Sequence, residues 1–456
     1  MPVSSRRNFL RTAALSTAAA PFIPSLFEPA AAASKPSALS QVRLAFIGVG
    51  SRGRSHVRQA LFRDDVVITA ICDPDPEAIS RTNAMIEKSG KKVPVAFTKG
   101  GEDFVNMLKR DDIDGVVIAT PWEWHVPMAV ATMKAGKYAG VEVSATVTLK
   151  ESWDLVNTFE KTGSHCMILE NVCYRRDVLA VLNMIRQGMF GEMLYAHCGY
   201  QHDLRNVKFN GGMGKEGVEF GAKGYSEARW RTQHSVDRNG DLYPTHGLGP
   251  VAHWLNINRG NRFLSLTSTA TKARSLHKYV VDKGGPDHPN AKVNFKLGDV
   301  VTTVVNCENG ENIVIMHDTN SPRPYSLGFR AQGTQGIWMD DGKTIYLEGT
   351  SPKPHQWEPF AAYQDKYDHP LWKQHGQTAQ SGGHGGIDFF VMRAFIESIK
   401  AQTAPPIDVY DAAVWSAISP LSEQSIAQGS KPIEIPDFTR GKWKTNRPIF
   451  GLNEIY

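Results

Sequence analysis

Gly48-Val49-Gly50-Ser51-Arg52-Gly53 places three glycines at G-x-G-x-x-G spacing, and an acid, Asp73, stands twenty residues past the last of them. That pattern suits the holding of a dinucleotide. Gly48 permits a tight turn, Gly50 lets the backbone approach a pyrophosphate, and Gly53 permits close packing of helix on strand. Ser51 and Arg52 fall where a helix N-terminus would offer free N–H groups to phosphate, and Arg52 adds a basic group able to hold one. Asp73 can accept hydrogen bonds from ribose hydroxyls and would repel a 2′-phosphate, so the expected cofactor is NAD rather than NADP. A second constellation is Pro121-Trp122-Glu123-Trp124-His125. It follows the end of a strand-like run, where ligands sit in open α/β sheets. Trp122 and Trp124 are expected to flank the cofactor or to pack in the core, His125 to reach the cofactor or to begin a helix, and Glu123 to stand with them on the cofactor side.

These residues need a scaffold, and the chain supplies one. "VRLAFIGVG" (42–50) is a continuous apolar run, as a strand buried on both faces should be. "VVITAICD", "GVVIATP", "YAGVEVSA" and "CMILENVCY" read as further strands. Between them lie amphipathic helices, the first expected to start near Ser55 and one at "HVPMAVATMKAG" (125–136). This alternation predicts a Rossmann-type, doubly wound parallel sheet. After about residue 190 the rhythm changes to strand-like runs with Asn-Gly and Asp-Gly turns, which predicts an α+β domain with a large open, mainly antiparallel sheet. Residues 205–224 read as a long loop. Two late helices, 388–401 and 410–428, should pack back on the body. The expected division is a leader at 1–33, a linker at 34–41, a dinucleotide-binding domain at 42–165 and a substrate domain at 166–456.

The bulk numbers fit a globular chain of two domains: 456 residues, 41% apolar, 21% charged, net charge +5. Dispersed Lys and Arg residues leave no nucleic-acid footprint. Past the leader no apolar run is long enough to span a bilayer, so no stable membrane insertion is expected. The five cysteines are scattered and lack zinc-type CxxC pairs, so neither a disulfide framework nor a metal site is expected, and most read as small core residues. The start is specific. Ser5-Arg6-Arg7-Asn8-Phe9-Leu10-Arg11 resembles the twin-arginine export consensus, an Ala-rich stretch follows, and "PAAAAS" (29–34) offers small residues for cleavage. That route carries proteins already folded, so the chain could take its cofactor with it to the periplasm or beyond.

From Val42 almost to the end the chain resembles the Gfo/Idh/MocA oxidoreductases, a Rossmann domain followed by an open-sheet domain. Such dehydrogenases carry Glu-Lys-Pro where this chain has Glu142-Val143-Ser144, and the lysine serves hydride transfer. A nearer resemblance is to glycoside hydrolase family 109, carried by "PWEWH", "ENVCYRRDV", "GYQHDLR", "EARWRT", "GDLYPTHG", "INRGNR", "HKYVVDKGG", "KYDHP" and "GHGGIDFF". That family contains NAD-dependent α-N-acetylgalactosaminidases. The resemblance implies a glycosidase that oxidises the sugar transiently at C3, eliminates the C1 group, adds water and re-reduces. It places substrate contacts at Tyr200, Arg231, Tyr243, His246 and Tyr325, and Glu142, Val143 and Asn171 on the cofactor side. His246 follows a Pro-containing turn and opens an apolar helix, whose dipole would favour a neutral imidazole. It is expected to move a proton; Tyr243 and Tyr325 are expected to stabilise the enolate or to hold the sugar. His384 and Asp388 should lie near the cleft. The alternative function is a periplasmic NAD(P)-dependent sugar oxidoreductase. A homodimer would follow from the fold by analogy, and the export machinery is an expected partner.

Overall fold

The computed structural model describes residues 38–212 and 215–456. The leader and most of the linker fall outside the described residues. The six strands of the first sheet are β1 (Val42–Ile47), β2 (Val66–Cys72), β3 (Val95–Phe97), β4 (Gly115–Ile118), β5 (Tyr138–Val141) and β6 (Cys166–Ile168). They run in the order β3-β2-β1-β4-β5-β6, every pair parallel. The order reverses between β1 and β4, and the crevice outside their carboxyl ends is where ligands bind in such sheets. β4, and β1 apart from Arg43, are apolar and buried on both faces, as helices on both sides of a parallel sheet require. β6 pairs with β5, so the parallel sheet takes in Cys166–Ile168, past the boundary expected at 165.

The later strands are β7 (Met193–Gln201), a hairpin of β8 (Asn210–Gly212) and β9 (Lys215–Glu216), β10 (Phe263–Ala270), β11 (Val301–Cys307), β12 (Asn312–Asp318), β13 (Arg330–Gly333), β14 (Gly336–Met339), β15 (Thr344–Leu347), β16 (Glu358–Pro359) and β17 (Ile433–Glu434). All but β8 and β9 form one sheet, ordered β16-β15-β14-β13-β7-β12-β11-β10-β17. Its neighbours are antiparallel except for β7 and β12, which run parallel in the middle. β11 shows why the sheet has one covered face: Val301, Thr303, Val305 and Cys307 are buried, and Thr302, Val304 and Asn306 point outward. The helix Val409–Ala427 closes the inner side, with Ser425 Oγ accepting from the Ser268 N–H at 2.9 Å.

The two late helices appear at Ile387–Ala401 and Val409–Ala427. The first packs on the parallel sheet, where a Cβ added at Gly140 would stand 3.0 Å from the Phe395 ring. The region 205–224 is not one bare loop: it holds the helical turn Arg205–Lys208 and the β8–β9 hairpin. All five cysteines are free and buried. Among the described residues no helix is long and apolar enough to cross a membrane.

Candidate active site

The glycine loop forms as its spacing predicts, with one shift. The helix opens at Ser51, four residues before the expected start, so Ser51, Arg52 and Gly53 are its first turn. Gly48 has φ +78°, a conformation that glycine adopts freely. A Cβ at Gly53 would meet the Gly48 carbonyl oxygen at 1.8 Å, which is the close helix–strand approach the motif requires. Gly50 caps the helix with no side-chain hydrogen bond, no acid stands in the first turn, and nothing lies within 4 Å of where its Cβ would be. The first N–H groups therefore open onto a concave surface.

That surface is a cleft of about 1620 Å³, lined by Gly48, Gly50, Ser51 and Arg52 at one end and by Tyr200, Arg231, Tyr243, His246 and Tyr325 at the other. A single small ligand fills roughly 300–1,000 Å³, so there is room for a dinucleotide and a sugar together. Asp73 lines the cleft and is 8% exposed. Its Oδ2 accepts from the Val49 N–H at 2.8 Å and its Oδ1 from the Asp75 N–H at 2.9 Å, so it also ties the loop together. Burial raises its carboxyl above the usual range, against those two donors. Asn171 is buried and lines the cleft; its Nδ2 donates to Asp388 Oδ1 at 2.7 Å, while its Oδ1 has no partner. An open helix N-terminus, a buried acid and an unpartnered amide oxygen in one crevice match the phosphates, ribose hydroxyls and carboxamide of NAD.

Arg52 corrects the expectation that it could hold a phosphate. Its Nε donates to Glu142 Oε1 at 2.6 Å and its Nη1 to Asp388 Oδ2 at 2.9 Å, so both ends of the guanidinium are paired within the chain. Glu142 also meets His56 Nε2 at 2.5 Å. Burial opposes charge on Glu142, but Arg52 and His56 outweigh it and hold the carboxyl below the usual range. Asp388 behaves likewise: burial is outweighed by His384, Arg52 and Asn171. His384 lines the cleft, and the fully buried Asp388 stands behind it, bonded to His384 and to the lining residues Arg52 and Asn171. Val143 is buried and its carbonyl accepts from Trp122 Nε1 at 3.3 Å.

The PWEWH segment divides. Its helix starts at Trp122, not His125, and Trp122 and Trp124 both reach the cleft. Glu123 does not: it is half exposed and stands 3.1 Å from His234 Nε2. His125 is 1% exposed, with Nδ1 2.8 Å from the Ser144 carbonyl and Nε2 2.9 Å from the Thr120 carbonyl. Both ring nitrogens face backbone carbonyls, so this histidine ties two strand-end loops together where it lines the cleft.

At the far end the rings converge. Tyr200 and Tyr243 lie 4.7 Å apart by centroid, Tyr243 and His246 5.0 Å, and Tyr200 and His246 5.2 Å. Tyr325, half exposed, meets Tyr200 edge-on at 6.3 Å. Arg231 lies over the rings of Trp122, Trp230 and Tyr243 at 4.9, 5.2 and 5.2 Å, with Glu227 2.5 Å from its Nε. Its place at the start of the helix Arg231–Asp237 fixes that position.

His246 has a partner that sequence spacing did not reveal. Glu170, fully buried, meets His246 Nδ1 at 2.7 and 2.9 Å. The carboxylate accepts a hydrogen bond from Nδ1–H, which leaves Nε2 as the acceptor toward the cleft. Glu170 stood in the motif "ENV", but only the fold brings residue 170 to residue 246. Also missed was His202, whose Nδ1 is 3.0 Å from the Tyr200 hydroxyl.

Comparison with known proteins sorts these observations. Residues 174–445 match the family model for the glycosyl hydrolase 109 C-terminal domain, and residues 42–169 that for the oxidoreductase family, NAD-binding Rossmann fold. A glycosyl hydrolase family 109 protein of Stenotrophomonas maltophilia is 55% identical over 91% of this chain and 93% of its own length. A Tannerella forsythia protein named alpha-N-acetylgalactosaminidase is 52% identical over 98% of this chain and 100% of its own. Among solved structures, levoglucosan dehydrogenase in complex with NADH and L-sorbose superposes with a TM-score of 0.64 at 18% identity, over 88% of this chain and 100% of its own, which is likeness of fold alone.

Proposed function

The chain belongs to glycosyl hydrolase family 109, and from that membership we propose that it releases a terminal α-N-acetylgalactosamine, or a closely related α-linked sugar, from a glycan. It is a glycosidase with an NAD-binding domain. The observation that carries the reading is one cleft with a dinucleotide loop at one end and a Tyr/His/Arg cluster at the other.

NAD, when bound, supplies a hydride acceptor at the sugar's C3 that is restored within the same turnover, so that the net reaction is hydrolysis. The chain's own residues do the rest. Glu170 precedes Asn171 on the cofactor side, so the ring it orients works at the carbon nearest the cofactor: His246 Nε2 takes the C3 hydroxyl proton. A carbonyl at C3 acidifies the hydrogen at C2. Tyr200 lies beside His246, 5.2 Å between ring centroids, and its phenol oxygen takes the C2 proton while the C1 substituent leaves. Tyr243 and Tyr325 donate to the oxygen that carries enolate charge. Arg231, fixed among three rings, holds the sugar. Water then adds at C1 and the proton returns to C2.

The dehydrogenase alternative is poorly served. The Glu-Lys-Pro lysine is replaced by Val143, and the lysine that does line the cleft, Lys343, is paired with Asp177 at 2.6 Å and with Asp340. Export by the twin-arginine machinery to the periplasm, or secretion, suits a cofactor that is not consumed, and buried cysteines suit an oxidising compartment. The outward face of the nine-stranded sheet supports a homodimer formed through it.

The test is a panel of aryl glycosides offered to the purified protein with NAD⁺ and no reductant. Release of aglycone from the α-N-acetylgalactosaminide over many turnovers, with no build-up of NADH, is expected. One NADH formed per sugar consumed would place the oxidoreductase alternative in its stead.

A further inference from the structure

Tyr200 has a difficulty as a base. It is 8% exposed, and burial pushes its phenol up from the ordinary value, so a free phenolate is disfavoured. A phenol in that position can take a proton only if it gives its own away in the same motion. The geometry supplies a receiver. The Tyr200 hydroxyl is 3.0 Å from His202 Nδ1, within hydrogen-bond reach.

His202 is placed to serve. It follows β7 directly, and its backbone N–H donates to the Asp318 carbonyl at 2.9 Å, which fixes the residue at the end of β12. Its ring meets Tyr325 edge-on at 4.8 Å and lines the cleft while keeping partial exposure, so a proton held there has a way to solvent. Burial and the nearby Arg231 and His246 disfavour the imidazolium, whereas Asp203 favours it. The resting ring is therefore a neutral acceptor.

We propose that His202 is a positioning residue that relays the Tyr200 proton, accepting the phenolic hydrogen on Nδ1 as the phenol oxygen takes the hydrogen from the sugar. In the step, the C2–H bond breaks and its electron pair forms the C1–C2 double bond as the C1 substituent departs. The C2 proton bonds to the Tyr200 oxygen, and the Tyr200 O–H proton passes to His202. The reverse transfer returns a proton to C2 after water has added. The proposal rests on the glycosidase reading above.

The experiment compares wild type with His202→Asn and His202→Ala, each checked for its circular dichroism spectrum and NAD content, on an aryl α-N-acetylgalactosaminide in D₂O. Asparagine offers an acceptor near the Nδ1 position but cannot take a proton. Both variants are expected to lose ~10²-fold or more in kcat and in deuterium entry at C2, with KM little changed. Added imidazole is expected to restore turnover to His202→Ala through the exposed side of the cleft. Wild-type rates in His202→Asn would overturn the relay alone and leave His202 a hydrogen-bonding prop. Hydrolysis by the wild type with no deuterium at C2 would overturn both the elimination route and the relay.

Discussion

The catalytic reading turns on two hydrogen bonds to histidine, and they differ in kind. Glu170 is a fully buried carboxylate aimed at His246 Nδ1, so it decides which nitrogen faces the sugar. In Glu170→Gln the amide can donate to Nδ1, which moves the ring proton to Nε2 and blocks the base. The expected result is a fall in kcat of ~10²–10⁴-fold with KM nearly constant, since a proton-moving group acts in the transition state. Steady-state kinetics on an aryl glycoside check it; a change in KM alone would make Glu170 a packing residue. At this scale the sequence was half legible. Asp73, Tyr200, Tyr243, His246 and Arg231 could be picked out because motifs and family resemblance name them. Glu170 and His202 could not, because their partners depend on a register set by tertiary contact. Glu123 misled for the opposite reason: it sits inside a motif whose neighbours line the cleft, while its own side chain turns to His234.

Among the elements, the loop between β1 and the helix Ser51–Leu61 has the least freedom. A methyl group at Gly53 would stand 1.8 Å from the Gly48 carbonyl oxygen, a backbone atom that cannot swing aside. Gly53→Ala must push the helix N-terminus from the strand end and spoil the phosphate cradle. The expected outcome is loss of NAD binding in a fluorescence titration, in a protein that still folds; full affinity would show that the loop is not the phosphate site. The strand pattern of β1 and β4 was readable because burial on both faces leaves an apolar run, interrupted only by Arg43. The three-residue β3 was not, since two of its residues are exposed and carry no periodicity. Nor was the parallel pairing of β7 with β12, because strand order across a long sheet is decided by connections that no local pattern records.

For the molecule as a whole, two buried charges of opposite sign flank neutrality. Asp241 is 1% exposed, its Oδ2 has no partner, and burial pushes its carboxyl up to about 7. Lys208 is 2% exposed, donates to Thr319 Oγ1 at 2.8 Å and Asn320 Oδ1 at 2.6 Å, and burial pulls its ammonium down to about 7. The folded state thus holds the Asp241 proton more tightly than the unfolded chain, and stability from this group is lost as pH rises from about 4 to about 7. It holds the Lys208 proton less tightly, so stability is gained from about 7 to the ordinary lysine value near 10.5. Together they put a dip in the melting temperature near neutrality. Asp241→Asn should flatten the acid arm and Lys208→Met the alkaline arm, each read by thermal melts across pH; arms unchanged in both variants would remove these groups from the account. The proposed export belongs to this scale too, since a folded holoprotein is what the twin-arginine route would carry. The central claim is that the sugar is opened by transient oxidation and elimination rather than by direct displacement at C1, and the most direct measurement is the fate of two hydrogens. An α-N-acetylgalactosaminide hydrolysed in D₂O should yield sugar with deuterium at C2 and the original hydrogen still at C3, read by proton NMR. Product that keeps its hydrogen at C2 through complete turnover would contradict the account.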